Sequence, residues 1–109
     1  MSSVKYTLSY LPLFYDDLEE HILYISYFLW NKSAANNLLD AIETAILKRL
    51  PNAESFEPYH SKKDRKYPYY RIYVKDYTIY YVVIPTAPGQ KTMEVRRILH
   101  NLQDRSRYI

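Results

Sequence analysis

Residues 4–10 alternate between apolar and polar. Val4, Tyr6, Leu8 and Tyr10 fall on one side, and Lys5, Thr7 and Ser9 on the other, which predicts a strand with one wet face. From residue 12 the period changes. Phe14, Leu18, Ile22, Ile25 and Leu29 recur at spacings of three and four, so a helix is predicted over 12–30. Pro12 suits its first turn, and the early Asp16 and Asp17 suit the positive end of its dipole. "NKS" at 31–33 interrupts the pattern, with Ser33 as the expected N-cap of a second helix over 34–50. The stripe of that helix is Ala35, Leu38, Ile42, Ala45 or Ile46, and Leu50. Lys48 and Arg49 stand at its end, and Pro51 stops it. Two helices joined by so short a break make an antiparallel hairpin.

Residues 51–68 hold three prolines and no period, so they read as a loop. Period two returns at 69–74, a tight turn is expected at Lys75-Asp76, and a strand follows over 77–84. "PTAPGQK" at 85–91 is a turn, and a last strand spans 92–99. The predicted architecture is α+β, in the order β-α-α-β-β-β. An antiparallel sheet carries the two-helix hairpin on one face, in a single domain over 1–109. On strand parity, Tyr70, Ile72, Val74, Tyr77, Ile79 and Tyr81 face the helices. Arg71, Tyr73, Thr78 and Tyr80 then line the other face, which is expected to be open.

Composition narrows the classes. The chain has 109 residues, 48% of them hydrophobic, which excludes a disordered chain. It has no cysteine, so neither a disulfide framework nor a thiolate metal site is available. Its single glycine, Gly89, leaves most turns to Asn, Asp, Lys and Pro. The net charge of +3 is compatible with nucleic acid without requiring it. The first residues lack the apolar core of a signal peptide, and no apolar run approaches a membrane helix of about 18 residues. A soluble cytoplasmic protein without a cofactor is therefore expected. Within the loop, "KKDRK" places Lys62, Lys63, Arg65 and Lys66 together, either as a solvated face or as a phosphate-contacting arm.

Fourteen residues are tyrosine, and six of them lie in "YYRIYVKDYTIYYVV" at 69–83. With that segment the pattern Y-R-x-x-V-x-x-Y-x-I-x-Y-x-V is followed by V-x-R-I-L-H-x-x-x-D at 95–104. Together with "YTLSY", "DDLEEHILYI" and "SAANNLLDAIETAILKRLP", these segments resemble the RelE/ParE superfamily of type II toxin–antitoxin toxins along nearly the whole chain. The resemblance implies a cognate antitoxin partner and one of two activities. RelE-like and YoeB-like members are metal-independent endoribonucleases that cut mRNA in the ribosome. ParE-like members poison DNA gyrase and do not cut RNA. Glu57, the basic loop at 62–66, Arg71 and His100 make the ribosome-dependent mRNA endonuclease the expected activity, with ParE-like gyrase inhibition as the main alternative and a degenerate, non-toxic antitoxin-binding module as a third.

The nuclease reading takes a definite set of residues. The reaction needs a base for the 2′-hydroxyl, an acid for the leaving 5′-oxygen and cations for the phosphorane-like transition state. By resemblance, Arg71 is the phosphate clamp, unless it is a surface arginine stacked on Tyr73 or Tyr80. Glu57 in "FEPYH" and His100 are the proton-transfer candidates, and His60 lies near the former. Tyr108 is a candidate near the scissile phosphate. Tyr73, Tyr80 and Arg97, with the basic loop, are candidate nucleic-acid contacts. The chain departs from the nuclease pattern where Thr78, and Leu102 or Gln103, replace expected basic residues. Arg96, Arg97, Arg105 and Arg107 are the nearby substitutes. On parity, Arg96 and Arg97 point to opposite faces, so at most one reaches the site.

Overall fold

The structure, a computed structural model, describes residues 4–59, 63 and 65–109. The elements run β1 (Lys5–Tyr10), α1 (Pro12–Leu23), α2 (Lys32–Arg49), β2 (Tyr70–Val74), β3 (Tyr77–Ala87) and β4 (Gln90–His100). One four-stranded sheet has the order β1-β4-β3-β2. The expected meander of β2, β3 and β4 is present, with both pairings antiparallel. The expectation of a wholly antiparallel sheet needs correction. β1 lies parallel to β4, from Lys5 opposite Gln90 to Tyr10 opposite Val95, so the sheet is mixed. Alternation marks the two faces of a strand but reads the same in either direction, so it carried no information on this point.

The helices cover the face that parity assigned to them. Tyr6, Leu8 and Tyr10 of β1 pack with Phe14, Leu38, Ile42, Ile46, Ile72, Ile79, Tyr81, Val95 and Ile98 in the main core. Each fully buried aliphatic side chain among these stabilises the fold by about 1.5–3 kcal/mol.

Two helix boundaries differ from expectation. α1 ends at Leu23 and continues as a π-helical turn over Tyr24–Phe28, closed by the Leu29 amide donating to the Tyr24 carbonyl. The wider turn rotates everything after it, so Leu29 leaves the apolar stripe and is exposed. Trp30 follows in the left-handed region (φ 50°). Asn31, rather than Ser33, caps α2, its Oδ1 accepting the Ala34 amide at 3.0 Å. Among the described residues, no helix is long and apolar enough to cross a membrane.

The second face of the sheet is not open as expected. Tyr69, Tyr80, Val82 and Leu99 form a smaller core there, closed by Ile109, with Tyr59, Tyr67 and Tyr108 packed against it. The last residues return over the sheet through a 3-10 turn at Arg105–Arg107. Arg65 holds the end in place, donating through Nε and Nη2 to the Ile109 carbonyl at 3.2 and 2.9 Å. Tyr59 pairs with Tyr69 in an isolated antiparallel bridge, which brings the long loop against the β2 edge.

A bulge also corrects the parity of the two β4 arginines. Tyr80 lies opposite Arg97 while Tyr81 lies opposite Val95, so Arg96 is the extra residue. Both guanidinium groups therefore meet tyrosines of the second-face cluster, Arg96 near Tyr69 and Arg97 over Tyr108.

Candidate functional site

β2 presents Arg71 on the second face, in register with Tyr80 of β3. Its guanidinium lies 4.7 Å from the Tyr59 ring centre and 5.8 Å from that of Tyr73. Among the described residues, no carboxylate pairs with it. Arg105, from the turn after β4, approaches the same Tyr59 ring at 5.2 Å. Burial pushes the Tyr80 hydroxyl up from its ordinary value, and the nearby Arg105 guanidinium opposes that shift. Two guanidinium groups thus share one aromatic ring, and Tyr73, 66% exposed, stands beside them. Cations over ring faces gain roughly 0.5–2 kcal/mol each and are held ready in orientation.

Next to this array is a cavity of about 480 Å³, lined among others by Tyr73, Thr78, His100, Asn101, Asp104 and Arg105. Thr78, at the position where a basic residue was expected, is buried, and its hydroxyl donates to Asn101 Oδ1 at 2.7 Å. The turn after β4 fixes His100. Its amide donates to Gln103 Oε1 at 2.6 Å, and its Nδ1 accepts the Leu102 amide at 3.1 Å. An Nδ1 that accepts leaves the ring proton on Nε2, so the free nitrogen of neutral His100 is a donor. The ring sits edge-on to Tyr77, 5.0 Å between centres.

The remaining candidates fall in different places. Glu57 is exposed on the loop and does not line the cavity. Tyr108 is half-buried beneath Arg97, 4.8 Å away. Arg97 is held by Asp17 of α1 through two bonds of 2.8 and 2.7 Å, which raise the guanidinium above its ordinary value. Tyr80 offers no stacking surface, being 2% exposed beneath the returning tail. Arg65 is occupied with Ile109, and Lys66 lies near the Tyr67 ring. Lys63 is exposed. Lys62 and His60 lie outside the described residues. No group of three or more His, Asp or Glu side chains suited to a metal occurs among the described residues.

Tyr59 and Asn101 were not singled out from sequence. Tyr59 lies in a stretch with no period, and the role of Asn101 depends on a turn that only the fold defines.

A small mixed sheet backed by a helical hairpin is compatible with the RelE/ParE-like fold. The family model described as "ParE toxin of type II toxin-antitoxin system, parDE" matches residues 8–105, and the chain belongs to that family. No curated protein matches it. Membership implies a cognate antitoxin as partner.

Proposed function

We propose that this toxin acts by binding its target, DNA gyrase, and not by cleaving RNA. The observation that carries this reading is the dispersal of the candidate catalytic groups. Of Arg71, Glu57, His100 and Tyr108, only His100 lines the cavity, so a proton donor stands there without the other candidates beside it. Arg97 is neutralised by Asp17, and Thr78 supplies no charge. A transition state of high negative charge would therefore meet few of the cations it needs. What remains on this face is a contact surface: Arg71 and Arg105 over Tyr59, with Tyr73 exposed beside them. Arginine and tyrosine in such an arrangement are the residues that dominate protein interfaces.

The nuclease reading keeps one specific support, the guanidinium of Arg71 between two tyrosines, with which no carboxylate among the described residues pairs. Two measurements on the induced chain separate the readings. A gyrase supercoiling assay should show inhibition with trapped gyrase–DNA cleavage complexes, and mapped mRNA 5′ ends should match those of uninduced cells. Codon-phased ends that vanish in Arg71→Ala would establish the endonuclease instead. Growth unaffected by induction would favour the non-toxic module.

A further inference from the structure

Arg49 is the last residue of α2, and its side chain is half-buried. Nη1 donates to the Arg71 carbonyl at 3.0 Å and to the Tyr81 hydroxyl at 3.1 Å. That hydroxyl donates in turn to the Ala53 carbonyl at 2.6 Å. The guanidinium also lies 3.5 Å from the ring centre of Phe56. Among the described residues no carboxylate pairs with Arg49. A cation in this last turn suits the dipole of α2, but the dipole requires no partner on β2. A planar fork of five donors, held by a carbonyl, a hydroxyl and a ring, fixes geometry instead of cancelling a charge.

These partners meet at the edge of the sheet. β2 is an edge strand, and Tyr59 and Tyr69 exchange backbone hydrogen bonds across its outer side. Alternate residues of a strand turn their backbone groups the same way, so the Arg71 carbonyl, two residues beyond Tyr69, looks out over that edge. Arg49 covers it, which pins a strand that has a neighbour on one side only. Arg71 is thus fixed twice, by Arg49 at its backbone and by the Tyr59 and Tyr73 rings at its guanidinium. Tyr59 ends the segment that Arg49 holds, directly at Phe56 and through the Tyr81 hydroxyl at Ala53. One side chain therefore sets both halves of the Arg71–Tyr59 contact.

We propose that Arg49 is a positioning residue for the target-binding face: it holds β2 and the 53–59 segment in the one arrangement that presents the Arg71 guanidinium on Tyr59. It acts through Arg71 and Tyr59 and not on the target itself. Its effect on gyrase rests on the gyrase-binding reading, whereas the link from Arg49 to Arg71 stands apart from that reading. The end of α2 is thereby coupled to the far face of the sheet, so a change in the helical hairpin is felt at Arg71.

Two readouts on the full-length chain separate positioning from mere support. The first needs no target: nitrogen relaxation of the arginine Nε–H groups. In Arg49→Met, which keeps the apolar stem and removes the donors, the Arg71 order parameter should fall by about a third, while that of Arg97, held by Asp17, stays as it was. The second is a double-variant cycle on gyrase affinity. Arg49→Met should weaken binding about fivefold in the wild-type background and less than about twofold where Arg71→Ala is already present. An unchanged Arg71, equal loosening of Arg71 and Arg97, or equal affinity losses in the two backgrounds would overturn the proposal. Arg71 loosened in a chain that never binds gyrase would overturn the gyrase reading and uphold the positioning role. Should Arg49→Met fail to fold, Phe56→Leu removes the ring beside the guanidinium, 48% exposed, and leaves both acceptors in place. It should loosen Arg71 in the same direction by a smaller amount, and an unchanged Arg71 in that variant would likewise overturn the proposal.

Discussion

Asp17 of α1 grips Arg97 of β4 across 80 residues of chain, and the same carboxylate accepts the Ile98 amide at 3.1 Å. One turn further along α1, His21 Nε2 meets the Ile98 carbonyl at 2.8 Å. β1 leaves the sheet after Tyr10, so β4 beyond Val95 would present a bare edge. Two helix side chains complete its ladder there, which removes a template for unwanted pairing. Asp17 also orients Arg97 over Tyr108 and so helps to seat the tail.

Asp17→Asn should therefore be among the most damaging single changes outside the apolar core. It strands a largely buried guanidinium, for which a loss of about 3 kcal/mol is expected. In a domain of this size that corresponds to roughly 13 °C in Tm. The double variant Asp17→Leu/Arg97→Met should recover part of the loss, since no lone charge is left buried. Thermal melts of the three variants check this. Equal destabilisation in single and double variants would show that the amide cap, and not the ion pair, is what matters.

The order of elements was legible in the sequence because each segment kept one period along its length. The direction of β1 was not, nor was the covering of the second face. The residues that close it, Tyr59, Tyr108 and Ile109, come from aperiodic segments and are brought in by long-range contacts. The site was only partly legible for the same reason. Arg71 could be placed on its face by parity alone. Assigning Arg97 to a free surface failed because its partner, Asp17, reads in sequence as an ordinary helix carboxylate. Counting residues alone placed Arg96 and Arg97 on opposite faces, because a bulge has no sequence signal here.

Arg71→Ala should separate stability from function. The guanidinium is half-buried against Tyr59 and Tyr73, so its loss should cost about 1 kcal/mol or less in stability. Growth inhibition should fall sharply, and gyrase affinity by at least about tenfold, as for an interface arginine. Arg105→Ala should act in the same direction, since it removes the second guanidinium from the Tyr59 ring. Full toxicity in the folded Arg71→Ala protein would remove this face from the mechanism.

Ile109→Ala should loosen the second face selectively. Ile109 is fully packed on Tyr80, Val82 and Leu99, so truncation should lower stability by about 2–4 kcal/mol. Arg65→Ala removes the clamp on the Ile109 carbonyl and the cation–ring contact with Tyr69, and should cost roughly 1–2 kcal/mol. In both variants hydrogen exchange should rise first at 105–109 and at Tyr59–Tyr69, while the helix-facing core stays protected. Uniform loss of protection would mean that the two faces unfold as one unit.

The cluster at the foot of β1 sets a pH window. Glu54 Oε1 accepts the Tyr6 hydroxyl at 2.8 Å and pairs with Lys91 at 2.7 Å. Partial burial raises the Glu54 carboxyl, but the bonds from Lys91 and Tyr6 outweigh it and hold the group below its ordinary value of 4.5. A folded value below the unfolded one stabilises the protein above about pH 4.5, and that contribution fades as pH falls through the folded value. Tyr6 shifts the other way: burial, then the bond to Glu54, push it to about 12 from 10.0. Its contribution is complete below pH 10 and is lost between about 10 and 12, where the unfolded chain gives up its proton first. Urea unfolding followed against pH should therefore steepen at both ends. Glu54→Gln should flatten the acid limb, and Tyr6→Phe the alkaline limb, each lowering the plateau by about 1 kcal/mol or less because the cluster is partly solvated. An acid limb unchanged in Glu54→Gln would place that transition on other carboxylates.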